Sequence, residues 1–298
     1  LSLSLLVTPA YSSHAAENTE AVETSVEGQG MLSPSSSSEN SESVFNGSGA
    51  GTSSEPVTDE KLETILKQVQ SQLPAENGTW AVFISDLVNG TEGSLNDQKM
   101  QAASLIKLYI MGAVYENYDQ ITGQYGRDSV DSNLYSMITV SDNDAANTLT
   151  TYLGGGDSAA GMQAVNSFCQ AHGYDQTHMG RMLLASNEND DNYTSVGDCG
   201  HLLQEIYKQD TSGYTHAADM FNLLKAQTRC NKIPAQLPEG VKTANKTGEL
   251  DNVENDAGII YDSKNDVVIV FMSQNLSSAG SAQNTIATLS RTIYDYYN

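Results

Sequence analysis

Basic side chains are scarce in this chain. Lys and Arg number 14 against 37 Asp and Glu, a formal net charge of -23. Such a surface repels phosphate, which excludes nucleic acid and an anionic membrane as partners. Cysteine is nearly as scarce, with Cys169, Cys199 and Cys230 the only three in 298 residues. That is too few for a disulfide-built scaffold, and no CxxC pair occurs. Cys199 and His201 are close in sequence, but no further His or Cys cluster completes a zinc site, so neither a metal nor a cofactor is expected. Long hydrophobic runs are missing as well, and beyond a short apolar start no stretch is long enough to span a bilayer.

That start, Leu1–Ala10, reads as the end of an apolar signal region, with small residues at Ser13–Ala16 offering a cleavage point. Residues 1–16 are therefore expected to be a signal-peptide remnant, and the protein to work outside the cytoplasm, secreted or at the cell surface. Residues 17–57 are Ser, Glu, Gly and Asn with almost no large apolar groups, and the first basic residue of the chain is Lys61. This composition predicts a disordered linker. The globular part is expected to cover 58–298, with a helical lobe from about 104 to 230.

Within it, Leu62, Ile65, Leu66, Val69 and Leu73 fall at helical spacing, with Thr58 as cap and Pro74 as stop. Thr79–Leu87 reads as a strand with Asn89-Gly90 as a hairpin turn. Met100–Tyr115 reads as a buried helix, and the pattern stays mainly helical to about Gln227. Asp256–Tyr261 and Asp266–Met272 read as strands, and Ala282–Tyr297 as a closing helix. The expected fold is α/β (α+β): an antiparallel sheet flanked by the first and last helices, plus an all-helical lobe, with a cleft between the two. Cys199, at the start of one helix, and Cys230, just past the end of the next, predict a disulfide with Cys169 free and buried. Three unpaired buried thiols are the alternative.

The chemistry centres on Ser104-Leu105-Ile106-Lys107. Positions i and i+3 share a helix face, so Ser104 and Lys107 stack one turn apart. A Lys in an apolar pocket loses basicity through desolvation and can take a proton from a Ser hydroxyl. A helix N-terminus adds N–H groups for an oxyanion. Downstream stand Ser141-Asp142-Asn143, at a helix–helix junction, and Lys246-Thr247-Gly248, on a strand edge. Ser141 can pass a proton, and the Asn143 amide can hold a substrate amide. Lys246 and Thr247 suit a carboxylate, and Gly248 lets a substrate approach the strand.

Three such motifs in this order resemble the penicillin-recognising serine hydrolases, and the class A β-lactamase branch in particular. The resemblance covers about Thr58 to Asn298 and implies a β-lactamase/transpeptidase-like fold and a serine hydrolase acting on β-lactams or cell-wall peptides. It implies Ser104 as acyl-accepting nucleophile, Lys107 as base, Ser141 as proton shuttle and Asn143 as substrate-amide ligand. Lys246 and Thr247 would face the substrate carboxylate, and the N–H groups of Ser104 and Glu249 would form the oxyanion hole. The substrate is expected to be a small molecule and the protein a monomer. A D,D-peptidase, cell-wall amidase or esterase is the alternative activity, and a penicillin-binding sensor that does not turn over is another.

The sequence departs from the family in three places. Class A β-lactamases carry an Arg, a Glu two positions on and an Asn six positions on; here Arg181 and Asn187 match, but Leu183 takes the Glu position. A leucine cannot activate the water that frees the enzyme, so slow deacylation is expected unless a shifted register brings Glu188 inward. Asp190 or Asp191 is expected to pin Arg181. The gap from Ser104 to Ser141 is short, and no Arg follows Lys246 on the strands to reinforce carboxylate binding.

Overall fold

Alternation along the central strands decides the layering. The computed structural model describes residues 59–298, so the expected signal remnant (1–16) and linker (17–57) lie outside the described residues. In β1 (Thr79–Asp86), Trp80, Val82 and Ile84 face one side of the sheet, and Ala81 and Phe83 the other. In β7 (Val267–Gln274), Val267, Ile269 and Phe271 join the first set, while Val268, Val270 and Met272 join the second. A strand covered on both faces needs a near-continuous apolar run, and Trp80–Ile84 and Val267–Met272 supply one each.

The first face packs against α1 (Glu60–Gln72) and the C-terminal α9 (Ala279–Tyr297), through Leu62, Ile65, Val69, Ile286, Leu289 and Ile293. With β2 (Thr91–Leu95), β5 (Lys242–Leu250) and β6 (Val253–Tyr261), the sheet has the order β2-β1-β7-β6-β5, antiparallel throughout. Strand β5 is therefore an edge strand, open on one side.

The second face packs on the helical lobe. At its centre is α2 (Ile106–Glu116), buried at every position from Ile106 to Tyr115. Around it lie α3 (Tyr118–Tyr125), α4 (Arg127–Thr139), α5 (Asn143–Leu153), α6 (Ser158–Ala171), α7 (Val196–Tyr207) and α8 (Ala217–Lys225). Gly112 lets α6 close on α2: a Cβ there would sit 2.4 Å from the Phe168 ring. Between α6 and α7 runs a long loop whose return strand β4 (Tyr193–Thr194) pairs with β3 (Met100–Gln101).

The expected fold class is the observed one, with differences at element ends. Thr58 lies outside the described residues, and Asp59 caps α1, its carboxylate accepting from the Lys61 N–H at 3.0 Å. The predicted Met100–Tyr115 helix begins later, because Met100 and Gln101 pair with β4 and a 3₁₀ turn, Ala103–Leu105, leads into α2.

The predicted Cys199–Cys230 disulfide does not form; all three cysteines are free. Cys199 points inward from α7 to lie beneath Tyr109, whose hydroxyl is 3.4 Å from its sulfur. Cys230 is exposed beyond α8, and Cys169 is free and buried. Helix ends that are close in a sequence diagram can still point their side chains to opposite sides of a packed layer. Among the described residues, no helix is long and apolar enough to cross a membrane.

Candidate active site

Ser104 sits in the 3₁₀ turn, and the backbone before it is held from three directions. Ala102 donates to the Asn192 carbonyl at 2.9 Å, and Gln101 to the Gln274 side chain at 3.0 Å. The Asn255 amide donates to the carbonyls of Gln101 and Ala102 at 2.9 and 3.1 Å. Gly248 on β5 presses against the same turn; a Cβ there would lie 2.9 Å from the Ala102 oxygen and 3.2 Å from the Ser104 nitrogen. The glycine thus has a structural reason besides the substrate approach that its sequence position suggests.

Lys107 follows one turn later and is fully buried. Its ammonium lies 3.1 Å from Ser104 Oγ, 3.1 Å from Ser141 Oγ, 2.6 Å from the Ser141 carbonyl and 2.7 Å from Asn143 Oδ1. Burial pulls its pKa down to about 7; nearby Asp142 works against this and Arg229 adds to it. At neutral pH a large fraction of Lys107 is therefore the free amine, within hydrogen-bond reach of the Ser104 hydroxyl.

Ser141 and Asn143 arrive from the turn between α4 and α5. Asp142 caps α5 by accepting from the Ala145 N–H at 2.8 Å. Ser141 itself adopts φ 61, left-handed backbone that costs a non-glycine residue of order 1–3 kcal/mol. The strained turn points its hydroxyl between two lysines, because Lys246 on β5 donates to Ser141 Oγ at 2.8 Å and to the Thr247 carbonyl at 2.7 Å. Lys246 is fully buried, and its pKa is well below the ordinary value, first through burial and then through Lys107 and Arg229. Two ammonium groups sharing one hydroxyl repel each other, so the pair favours a state with at least one neutral amine.

Thr247 and Glu249, with Ser104, Ser141 and Asn143, line a recess of about 140 Å³ whose sixth wall is Arg229. Arg229 went unnoticed in the sequence because it precedes the strands by a dozen residues, on the chain beyond α8. Its guanidinium reaches Glu249 Oε2 at 3.3 Å and the Val140 carbonyl at 3.3 Å, bridging the two sides of the recess. The cation that the strands lack is thus brought in from the lobe.

The recess adjoins a larger cleft of about 550 Å³, lined by Ser104 and Asn143, by the turn after Glu249, and by Arg181, Leu183, Leu184 and Asn187 of the long loop. Arg181 pairs with Asp191 at 2.6 Å, the second of the two acids expected to pin it; Asp190 instead binds His178 at 2.7 Å. Leu183 is gripped by Asn147 of α5, which accepts from its N–H at 2.8 Å and donates to its carbonyl at 3.0 Å. No sequence signal marked Asn147, yet it sets which loop residue faces the cleft. Glu188 is exposed and outside the cleft lining, while Asn187 lines it with its amide 3.5 Å from Asp191. Among the described residues, no group of three or more His, Cys, Asp or Glu side chains is placed to hold a metal ion.

Comparison with known proteins bears on the family and the fold. The model of the β-lactamase enzyme family matches residues 61–128 and 124–297. Among solved structures, the chain is similar to PBP-A, at 22% identity and TM-score 0.69 over 78% of this chain and 96% of that one. It is similar to a β-lactamase from Sphaerobacter thermophilus DSM 20745, at 22% identity and TM-score 0.65 over 78% and 95%. A leucine-to-glutamate mutant of PBP-A, solved as an acyl-enzyme complex with penicillin G, matches at 23% identity and TM-score 0.67 over 78% and 96%. At these identities the likeness speaks for the fold. No curated protein matches the sequence.

Proposed function

The chain belongs to the β-lactamase enzyme family, a hydrolase of β-lactamase type, and on that premise we propose that it forms an acyl-enzyme at Ser104 that hydrolyses slowly. The observation that carries the reading is the buried Lys107 amine, 3.1 Å from Ser104 Oγ with its pKa lowered to about 7. Lys107 takes the Ser104 proton as the oxygen bonds to the lactam carbonyl. The backbone N–H groups of Ser104 and Glu249 hold the resulting oxyanion. The ring C–N bond then breaks, and the proton reaches the departing nitrogen through Ser141, which Lys107 and Lys246 both touch. The Asn143 amide receives the substrate amide. Thr247 and Arg229 line the recess that suits the substrate carboxylate, and Lys246 lies buried behind it on Ser141 and the Thr247 carbonyl.

Freeing the enzyme is a separate demand. It needs a base that activates water on the loop side of the ester, and there Leu183 faces the cleft. Asn187 can hold a water, but an amide cannot take its proton. General-base assistance is worth roughly a hundred- to ten-thousand-fold, so its absence leaves the ester long-lived. β-Lactams are the substrate class this reading takes, in line with the penicillin G adduct of the PBP-A mutant. Work outside the cytoplasm, where such compounds meet the cell wall, goes with it.

Intact-mass measurement after incubation with benzylpenicillin tests the proposal. One adduct per chain, mapped to Ser104 and persisting after free drug is removed, is the expected result. No adduct, or rapid steady hydrolysis without accumulation, overturns it.

A further inference from the structure

The residue after the Lys246-Thr247-Gly248 motif has a side chain whose task the mechanism leaves open. Glu249 lines both the main cleft and the small recess. One carboxylate oxygen is 3.0 Å from the Lys232 ammonium and the other 3.3 Å from Arg229. Lys232 is fully buried and has a closer partner of its own in Glu254, at 2.7 Å. The charge of Lys232 is therefore answered without Glu249. Arg229 has no second carboxylate among the described residues: its other contact is the Val140 carbonyl. Glu249 is thus the anion that occupies Arg229 while the recess is empty.

We infer that Glu249 competes with the substrate carboxylate for Arg229 and so acts as a specificity-determining residue, holding down acylation by anionic β-lactams relative to uncharged ones. The inference rests on the acyl-enzyme reading above. A recess of about 140 Å³ brings any carboxylate it holds within a few ångströms of Glu249, and like charges so placed repel. The Arg229–Glu249 pair is long and its arginine nearly half exposed, so an arriving anion can displace it. The residual repulsion is then paid at each encounter with an anionic substrate, and a neutral ester escapes it.

The test compares second-order acylation rates for benzylpenicillin and its methyl ester on the same preparation of the full chain. Their ratio cancels the folded fraction, so a partly unstable variant still reports. Glu249→Gln is expected to raise the acid-to-ester ratio about ten-fold, and Glu249→Ser to move it the same way. Arg229→Gln is expected to lower it. If Glu249 only positioned Arg229, Glu249→Gln would lower the ratio too. A fall or no change in the Glu249 variants overturns the inference while leaving acylation itself in place. Absence of any Ser104 adduct with either compound overturns the acyl-enzyme reading and the inference together.

Discussion

The two walls of the cleft are built on opposite principles. The wall carrying Ser104, Lys107, Ser141 and Lys246 joins two buried amines and two half-buried hydroxyls in one hydrogen-bonded network around a strained turn. The loop wall pins its own ends through Arg181–Asp191 and turns Leu183 and Leu184 to the cleft. Buried polar groups without partners are costly, so the first wall is organised only because every amine and hydroxyl there is answered. The loop wall has its polar contacts spent on holding its shape. On the proposed reading the contrast separates two chemical demands: one wall carries the groups for proton transfer in acylation, and the other carries no base for water.

Removing the nucleophile breaks the comparison most completely. Ser104→Ala is expected to abolish covalent labelling by a fluorescent penicillin while the circular dichroism stays that of the parent; a variant that still labels moves the nucleophile elsewhere.

Removing the base comes next. Lys107→Ala should slow acylation roughly a hundred- to ten-thousand-fold, read by stopped-flow or quenched mass measurement. In the parent protein the working form is the free amine, and its pKa is lowered to about 7. Acylation is therefore expected to rise as pH increases through about 7 and to level off above it. A profile flat from pH 5 to 9 would remove Lys107 from the role.

The opposite wall is sharpened by adding what it lacks. Leu183→Glu should speed deacylation by up to a similar factor while leaving acylation within a few-fold, measured as decay of the isolated adduct. If the parent already turns over quickly, and Glu188→Gln stops it, Glu188 supplies the base and the apolar reading of this wall fails.

The smallest effect concerns what holds the loop. Asn147→Ala removes both hydrogen bonds to the Leu183 backbone. Leaving those groups unmet should cost about 1–3 kcal/mol by denaturant unfolding, and it should blunt the gain from Leu183→Glu in the double variant. Full additivity of the two changes would mean that Asn147 does not set the register.

Much of the fold was legible because the responsible interactions are local or periodic. The runs in β1, β6 and β7 and the spacing in α1 and α9 declare buried faces whatever lies against them. Boundaries were less legible where a distant segment intervenes. Met100 and Gln101 are helix formers by neighbourhood, yet pairing with Tyr193 and Thr194 makes them strand. The cysteines misled for a related reason: Cys199 faces the core, and nothing local says so.

Within the site the division runs the same way. The Ser104–Lys107 spacing places both side chains on one helix face through backbone geometry alone, and Asp142 marks the start of α5 through its own capping bond. The order of the three motifs was likewise in the chain. What the tertiary structure decided depends on approach over long separations. Lys107 has its lowered pKa because groups far along the chain bury it, and Lys246 meets Ser141 across 105 positions. Arg229 reaches the recess because α8 ends beside β5, and Leu183 faces the cleft because Asn147 grips its backbone. Helix periodicity and capping are written in neighbouring residues, whereas desolvation, charge pairing and loop register exist only once distant segments have packed.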